Sequence, residues 1–412
     1  MNHTKKHQQM ALLMVITASL LASSMARADV VTDWNIKASA IVVEAKLGPA
    51  PGWRVLAIVH TAVYEAANAI TKRYPSSGLQ LEAVPGASVE AAIAAANHDT
   101  LAQLVPSQQA AIDTAYHTAL AMITDGPAKT AGMAVGEKAA GVILAMRTED
   151  GATTRETYRP HTTAGVYVPT VIPVISQWPQ RKPWLMTSPA QFRPDSPPSL
   201  TSAVWARDYN EIKELGNKSS TRRTAEQTAI ARFWEATLPP IYCGIVHSVT
   251  TLPGREVTQN ARLFAAVAQA IDDALIAVFD AKYHYNFWRP VTAIRNGDID
   301  GNDATEREPS WMPLINTPMH PEYPCAHCIV SSAVGTVLQA EIGTGPMPTL
   351  TTTSYTANGA SRSWTTIDDF MQEVAQARIY DGVHYRNSNE VGMAMGKQIG
   401  ELAAAKYLRP LK

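Results

Sequence analysis

From Glu256 to Lys282 the apolar residues Phe264, Val267, Ile271, Ala274 and Val278 recur at steps of three or four. That period belongs to an α-helix with one buried stripe and does not suit a strand. The same spacing runs through residues 50–70, 88–104, 108–123 and 129–147, the last three rich in alanine, the strongest helix former. It returns over 205–215, 224–236 and 329–338. A further helix begins at Thr366, with Asp369 placed for a capping box, and Asn387 and Glu390 are positioned to cap a last helix running to Leu408. No stretch alternates with period two for long enough to read as a sheet. Across 412 residues the chain is 46% apolar and only 7% aromatic, a mixture that suits packed helices. The expected class is all-α.

Two segments depart from this pattern. Residues 150–204 hold nine prolines and read as a long irregular connection, of the kind that lines a site or wraps a core. Residues 1–28 read as a secretory signal peptide: Lys5 and Lys6 precede an apolar run, and Ala26-Arg27-Ala28 supplies a cleavage site. The apolar run is too short to span a bilayer comfortably. The expectation is therefore a secreted or periplasmic protein with no membrane span. Residues 29–412 would form one all-α domain, with an N-terminal helical half over about 29–250 and an oxyanion-binding half over about 255–408. A net charge of −1 implies no basic face for nucleic acid.

Three cysteines are present, Cys243, Cys325 and Cys328. In an oxidising compartment the simplest arithmetic is one disulfide and one free thiol, with the pairing open. Cys325 and Cys328 form a C-x-x-C with His327 inside it, but no second such pair completes a zinc site.

Twice an apolar stripe ends on a cation. The stripe of the 256–282 helix reaches Lys282, and the stripe Ile367, Phe370, Met371, Val374 reaches Arg378. One reading is that both cations snorkel at helix ends, or pair with nearby Asp280 and Asp381. The other is that Lys282, Arg289 and Arg378 converge on a bound oxyanion, for which guanidinium forks are suited. Pro324 could then open a helix, aiming the amides of Cys325, Ala326 and His327 at the anion. His327 and His384 would supply a nucleophile or ligand and a proton donor.

These residues resemble a known signature. K-x6-RP occurs as Lys282 to Pro290, P-S-G-H is altered to Pro324-Cys325-Ala326-His327, and SR-x3-G-x-H-x3-D is altered to Ala377-Arg378 through Gly382, His384 and Ser388. The chain resembles the superfamily of vanadium-dependent haloperoxidases and type-2 phosphatidic acid phosphatases. "RVLAIVHTAVYEAANAI", "RTAEQTAIARFW" and "DAKYHYNFWRPVTAIR" extend the likeness to its bacterial haloperoxidase-like branch.

The resemblance implies a pair of four-helix bundles. It also implies vanadate as cofactor, or no cofactor in a phosphatase. Lys282, Arg289, Arg378, Cys325 and the amide of Ala326 would bind the oxyanion, and His327 would be the acid–base residue. His384 would be the axial vanadium ligand, or the nucleophile of a phosphatase, and His320 lies at the family's halide-pocket position. The substrates would be peroxide and halide, or a phosphate ester. Assembly into a homo-oligomer stays open.

Two replacements weaken the pattern. Cys325 stands for a serine that hydrogen-bonds the anion, and a thiol is a weak donor. Ser388 stands for the aspartate that orients the histidine. A peroxide-handling pocket would also oxidise an exposed thiol unless a disulfide protected it, whereas a phosphatase pocket would not. The third reading, an anion-binding or redox-sensing protein with little turnover, follows if both replacements disable the site.

Overall fold

The computed structural model describes residues 29–75 and 77–408. The leader read over residues 1–28 lies outside the described residues. Among these the chain is all-α, with thirteen α-helices and one two-stranded hairpin. No helix among them is long and apolar enough to cross a membrane.

The first five helices are α1 (Val30–Glu44), α2 (Pro49–Thr71), α3 (Val89–Leu104), α4 (Gln109–Ala121) and α5 (Pro127–Arg147). Their alanines and glycines let backbones approach. A Cβ on Gly132 or Gly136 would lie 2.2 Å from Ser88 O or 2.3 Å from Ala92 O, so α5 can only sit this close to α3 through glycine. The proline-rich stretch follows, irregular as expected apart from a single 3-10 turn at Trp178–Gln180. Then come α6 (Ala203–Leu215), α7 (Ala225–Phe233), α8 (Pro239–Thr250) and α9 (Val257–Tyr285).

α9 corrects the sequence reading. The expected single buried stripe is in fact burial all round, continuous from Asn260 to Lys282. The physical reason is position. α9 packs against α2 on one side and, on the other, against α11 (Ala326–Ile342) and α13 (Arg386–Tyr407). It is a central rod used by both groups of helices, and its alanines fill the narrow gaps.

The second group contains α9, α11, α12 (Ile367–Tyr380) and α13, with the short α10 (Pro290–Arg295) between α9 and α11. Gly392, Gly396 and Gly400 recur every fourth residue along α13 and face α11. A Cβ there would approach Cys325 O to 2.6 Å, Ile329 O to 2.2 Å and the Thr336 Cβ to 2.6 Å. This seam presses α13 onto the N-terminal turn of α11.

Three local expectations fail. The hairpin of β1 (Leu350–Ser354) and β2 (Ala360–Trp364), closed by Asn358-Gly359 at positive φ, escaped a search for long alternation because each strand has five residues. α12 has half a capping box: Thr366 Oγ1 accepts from the Asp369 amide at 3.0 Å, with no return bond. α13 starts at Tyr385 without a side-chain cap; Asp208 from α6 accepts the Asn387 amide at 2.7 Å instead.

Candidate active site

The last turn of α9 carries Lys282, fully buried. Its Nζ donates to Pro321 O (3.1 Å) and Glu322 O (2.7 Å), pinning the loop before α11 onto the end of α9. Asp280 is not its partner. That carboxylate is taken in two-pronged fashion by Arg193 of the proline-rich connection, at 2.7 and 2.8 Å.

Arg289, the residue capping α10, ties the site together. Nε donates to His320 O (2.9 Å) and Nη2 to His320 Nδ1 (3.0 Å), while Nη1 donates to Val383 O (2.8 Å) and His384 Nε2 (3.3 Å). A guanidinium only donates, so both imidazole nitrogens it meets must be acceptors. His384 therefore carries its proton on Nδ1, which donates to Glu322 Oε1 at 2.8 Å. Its Nε2 lone pair meets Arg289 Nη1 at 3.3 Å, a long bond that must give way before this nitrogen can bind or attack anything else.

Glu322 is the residue the sequence did not reveal. It is fully buried, accepts also from the Tyr385 amide (3.1 Å), and does what the missing aspartate at position 388 would do. Ser388 itself is buried, and its hydroxyl has no hydrogen-bond partner of good geometry. No spacing rule links Glu322 to His384 across 62 residues; only the preceding turn, folded by α13 against α11, brings them together.

Arg378, at the end of the α12 stripe, is fully buried. Only its Nη1 is engaged, by Trp234 O at 2.9 Å and Asp381 Oδ2 at 2.5 Å. Nε and Nη2 have no partner, and neither does Nε2 of the buried His327. At the start of α11 the amides of Ala326 and His327 have no intrahelical acceptor.

The C-x-x-C turn differs from expectation. All three cysteines are free thiols. Cys243 lies in α8 against Asn35 and Ser39 of α1, each 3.5 Å from its sulfur. Cys325 Sγ is the cap of α11, accepting from the Cys328 amide at 3.3 Å, and the Cys325 amide itself donates to Ser388 O at 3.1 Å. The Cys325 amide is thus spent, and the anion-facing amides reduce to Ala326 and His327.

Ala326, His327, Arg378, His384 and His320 meet at one end of a cavity of about 510 Å³, whose remaining wall is largely apolar, with Leu47, Leu275 and Phe279. Arg289, Lys282 and Cys325 stand behind this wall. Among the described residues no three His, Cys, Asp or Glu side chains form a metal cage; the donor set is cationic, which suits an oxyanion.

Burial and the cations act together on the titrating groups. Burial, reinforced by Arg289, pushes the Lys282 and His384 pKa values well below their usual range, and burial with Arg378 does the same to His327. His320 is lowered by burial and Arg289. Arg289 falls to about 10 through burial, against the pull of Glu322. Burial lifts Glu322 and Asp381 to about 7 despite Lys282 and Arg378 respectively. For Cys325, burial pushes the thiol up but its bonds to Cys328 and the charge of Arg378 outweigh this and lower it. Such mutual discouragement of positive charge is relieved by one thing, an anion in the cavity.

The family model for the VCPO second helical-bundle domain matches residues 262–412, the part that carries the cradle. A vanadium chloroperoxidase from Curvularia inaequalis is 28% identical over 181 residues, which is 36% of this chain and 29% of that protein, so the match spans under a third of the relative's length. The crystal structure of a bacterial vanadium-dependent iodoperoxidase superposes with a TM-score of 0.78 at 24% identity, over 91% of this chain and 95% of that one. A holo-type bacterial vanadium-dependent chloroperoxidase superposes at 0.69 and 20% identity, over 88% and 93%. These two likenesses establish the fold.

Proposed function

We propose that the chain belongs to the vanadium haloperoxidase superfamily, which its family-model match, curated relative and fold support, and that it is a vanadate-dependent haloperoxidase. The observation that carries the reading is the surplus of unpaired buried polar atoms around one cavity: the donors Arg378 Nε and Nη2, and His327 Nε2. Unpaired buried polar atoms each cost about 1–3 kcal/mol, so a set that converges calls for a ligand.

The residues fit vanadate. Lys282, Arg289 and Arg378 supply positive charge, the Ala326 and His327 amides add donors, and His384 offers one nitrogen. Vanadate held there would supply a Lewis-acidic centre at which hydrogen peroxide is activated toward halide. The protein's share is to hold and orient. Arg289 keeps His384 Nε2 unprotonated through a long bond that a bound anion would replace, and Glu322 holds the proton on Nδ1. His327, kept neutral by burial and Arg378, can accept a proton at Nε2 and return it. The apolar wall limits water at the reacting end and suits an organic halogen acceptor.

One observation favours a phosphatase on the same residues. Cys325 and Cys328 are free, buried thiols just behind the cradle, and a thiol that peroxide reached would be oxidised, whereas a phosphate ester would leave it intact. In that reading His384 Nε2 attacks phosphorus and His327 protonates the leaving oxygen.

Paired assays separate the two. Bromide-dependent bromination of a phenolic dye with peroxide should appear only with added orthovanadate. It should fall by about 10²–10⁴-fold in His384→Ala. Hydrolysis of a chromogenic phosphate ester, inhibited by vanadate, would replace this reading with the phosphatase.

A further inference from the structure

A second cavity, also of about 510 Å³, adjoins the first. The two share Ile315, Asn316, Pro318 and Met319, so a single strap of chain divides them. Their chemistry differs. The first carries the histidines with Arg378, Lys46 and Glu235 beside an apolar wall. The second is lined by three cations, Lys218, Arg289 and Arg295, and no aspartate or glutamate is among the described residues that line it.

These cations are not consumed by structure. Lys218 is exposed, and its ammonium has no hydrogen-bond or ion-pair partner among the described residues. Arg295 uses only Nε, on Trp311 O at 2.9 Å. Arg289 belongs to the dividing wall. Its guanidinium is bonded to His320 and His384, which both line the first cavity, and one Nη2 N–H remains unused.

We propose that the second cavity is a binding site for a small inorganic anion, taken against Lys218, Arg295 and the outer side of Arg289. On the haloperoxidase reading, on which this identification rests, the anion is the halide. A cleft lined by one sign of charge raises the local concentration of its counter-ion. The second cavity would gather halide beside the Arg289 wall, one side chain from His384, ahead of its passage to the His320 end of the first cavity.

The test uses the full mature chain and the variant Lys218→Glu/Arg295→Glu. Line broadening of the bromide NMR signal reads binding without turnover. Wild type should broaden the signal at low salt and the double variant should lose most of that effect. In the bromination assay the KM for bromide should rise about five- to ten-fold at low salt, and the difference should shrink as salt is added. The KM for peroxide should stay as it is. Lys218→Glu alone, at an exposed position, should give a smaller change of the same sign and serves if the double variant does not fold.

Unchanged broadening, or bromide and peroxide KM values that rise together, overturns the site. Broadening that the variant loses, in a protein whose wild type never brominates, keeps the anion site and removes the haloperoxidase reading.

Discussion

α9 carries two clusters of buried charge that make a natural comparison. Asp272 and Asp273 near its middle face Arg181, Arg147 and Arg54 with Asp150; Lys282 in its last turn faces Arg289, Arg378, Glu322 and Asp381. In the first, three cations meet three carboxylates. Arg181 reaches Asp272 and Asp150 at 2.6 Å each, Trp184 Nε1 donates to Asp272 at 2.8 Å, and the amides of Trp184, Leu185 and Met186 all donate to Asp273. Burial lowers Arg147 to about 10 and lifts Asp273 to about 6, but at Arg181, the centre of the ion pairs, Asp272 and Asp150 outweigh it and raise the pKa. In the second, three cations meet two carboxylates that burial has pushed up to about 7, and the Lys282 pKa is driven down. A balanced cluster ties the proline-rich connection to the central helix. The other leaves Arg378 Nε and Nη2 without partners, where an anion is proposed to bind.

The largest expected effect separates the two clusters by stability. Arg181→Met strands Asp150 and Asp272 in the interior, and breaking such a pair costs about 3–5 kcal/mol. Lys282→Met removes a desolvated cation that has only two carbonyls for company. The lost bonds and the relieved desolvation offset one another, leaving stability within about 1 kcal/mol of wild type. Denaturant unfolding at neutral pH in anion-free buffer measures both. Equal losses would erase the distinction between a structural and a functional cluster.

A smaller effect follows from adding an oxyanion. Tungstate, a tetrahedral oxyanion that keeps its charge across neutral pH, should stabilise the wild type by about 2.7 kcal/mol at a hundred-fold excess over Kd. It should stabilise Lys282→Met little. The pH dependence has a definite sign. Lys282 and His327 have lowered pKa values without the anion, and the anion raises them, so the complex holds more protons than its parts. Glu322 and Asp381 shift the same way, since a neighbouring anion disfavours their ionised forms. Affinity should therefore fall as pH rises, and calorimetry in two buffers of different ionisation enthalpy should register proton uptake. Proton release on binding would contradict this.

How much of this was legible follows from which forces are local. Helices such as α2, α3 and α5 announce themselves through alanine and apolar spacing, because that pattern is local. So do the stripes that end on Lys282 and Arg378. What the sequence hid is tertiary. All-round burial of α9 depends on helices from both groups closing over it. The cap role of Cys325 Sγ depends on the turn before α11 being pinned by Lys282 and α13. The β1–β2 hairpin is too short for a periodicity argument. The most consequential case is Glu322, read only as part of a C-x-x-C neighbourhood, which turns out to face His384. Ser388 therefore signals a carboxylate moved to another element, and the orientation of the histidine survives its replacement.

That relocation gives the smallest and sharpest prediction. Glu322→Gln keeps an oxygen able to accept from His384 Nδ1–H, so the tautomer and the ring orientation should persist. It removes the negative charge that favours the protonated imidazole. On either enzymatic reading the reactive form is the one with a free Nε2 lone pair, so orientation matters more than charge in the resting site, and charge matters as His384 gains positive character. Turnover should drop about ten-fold, the low end for loss of a partner that orients a metal-binding or reacting histidine. The pH profile distinguishes this from simple damage. Glu322, lifted to about 7 by burial, is itself the group that protonates as the wild type is acidified, and Glu322→Gln does not titrate, so the acid limb that Glu322 sets near neutral pH should be lost in the variant. Glu322→Ala, which leaves Nδ1–H without an acceptor, should lose more activity than Glu322→Gln. Equal losses in the two variants, with an unmoved acid limb, would make Glu322 a packing residue and return the orienting role to Ser388.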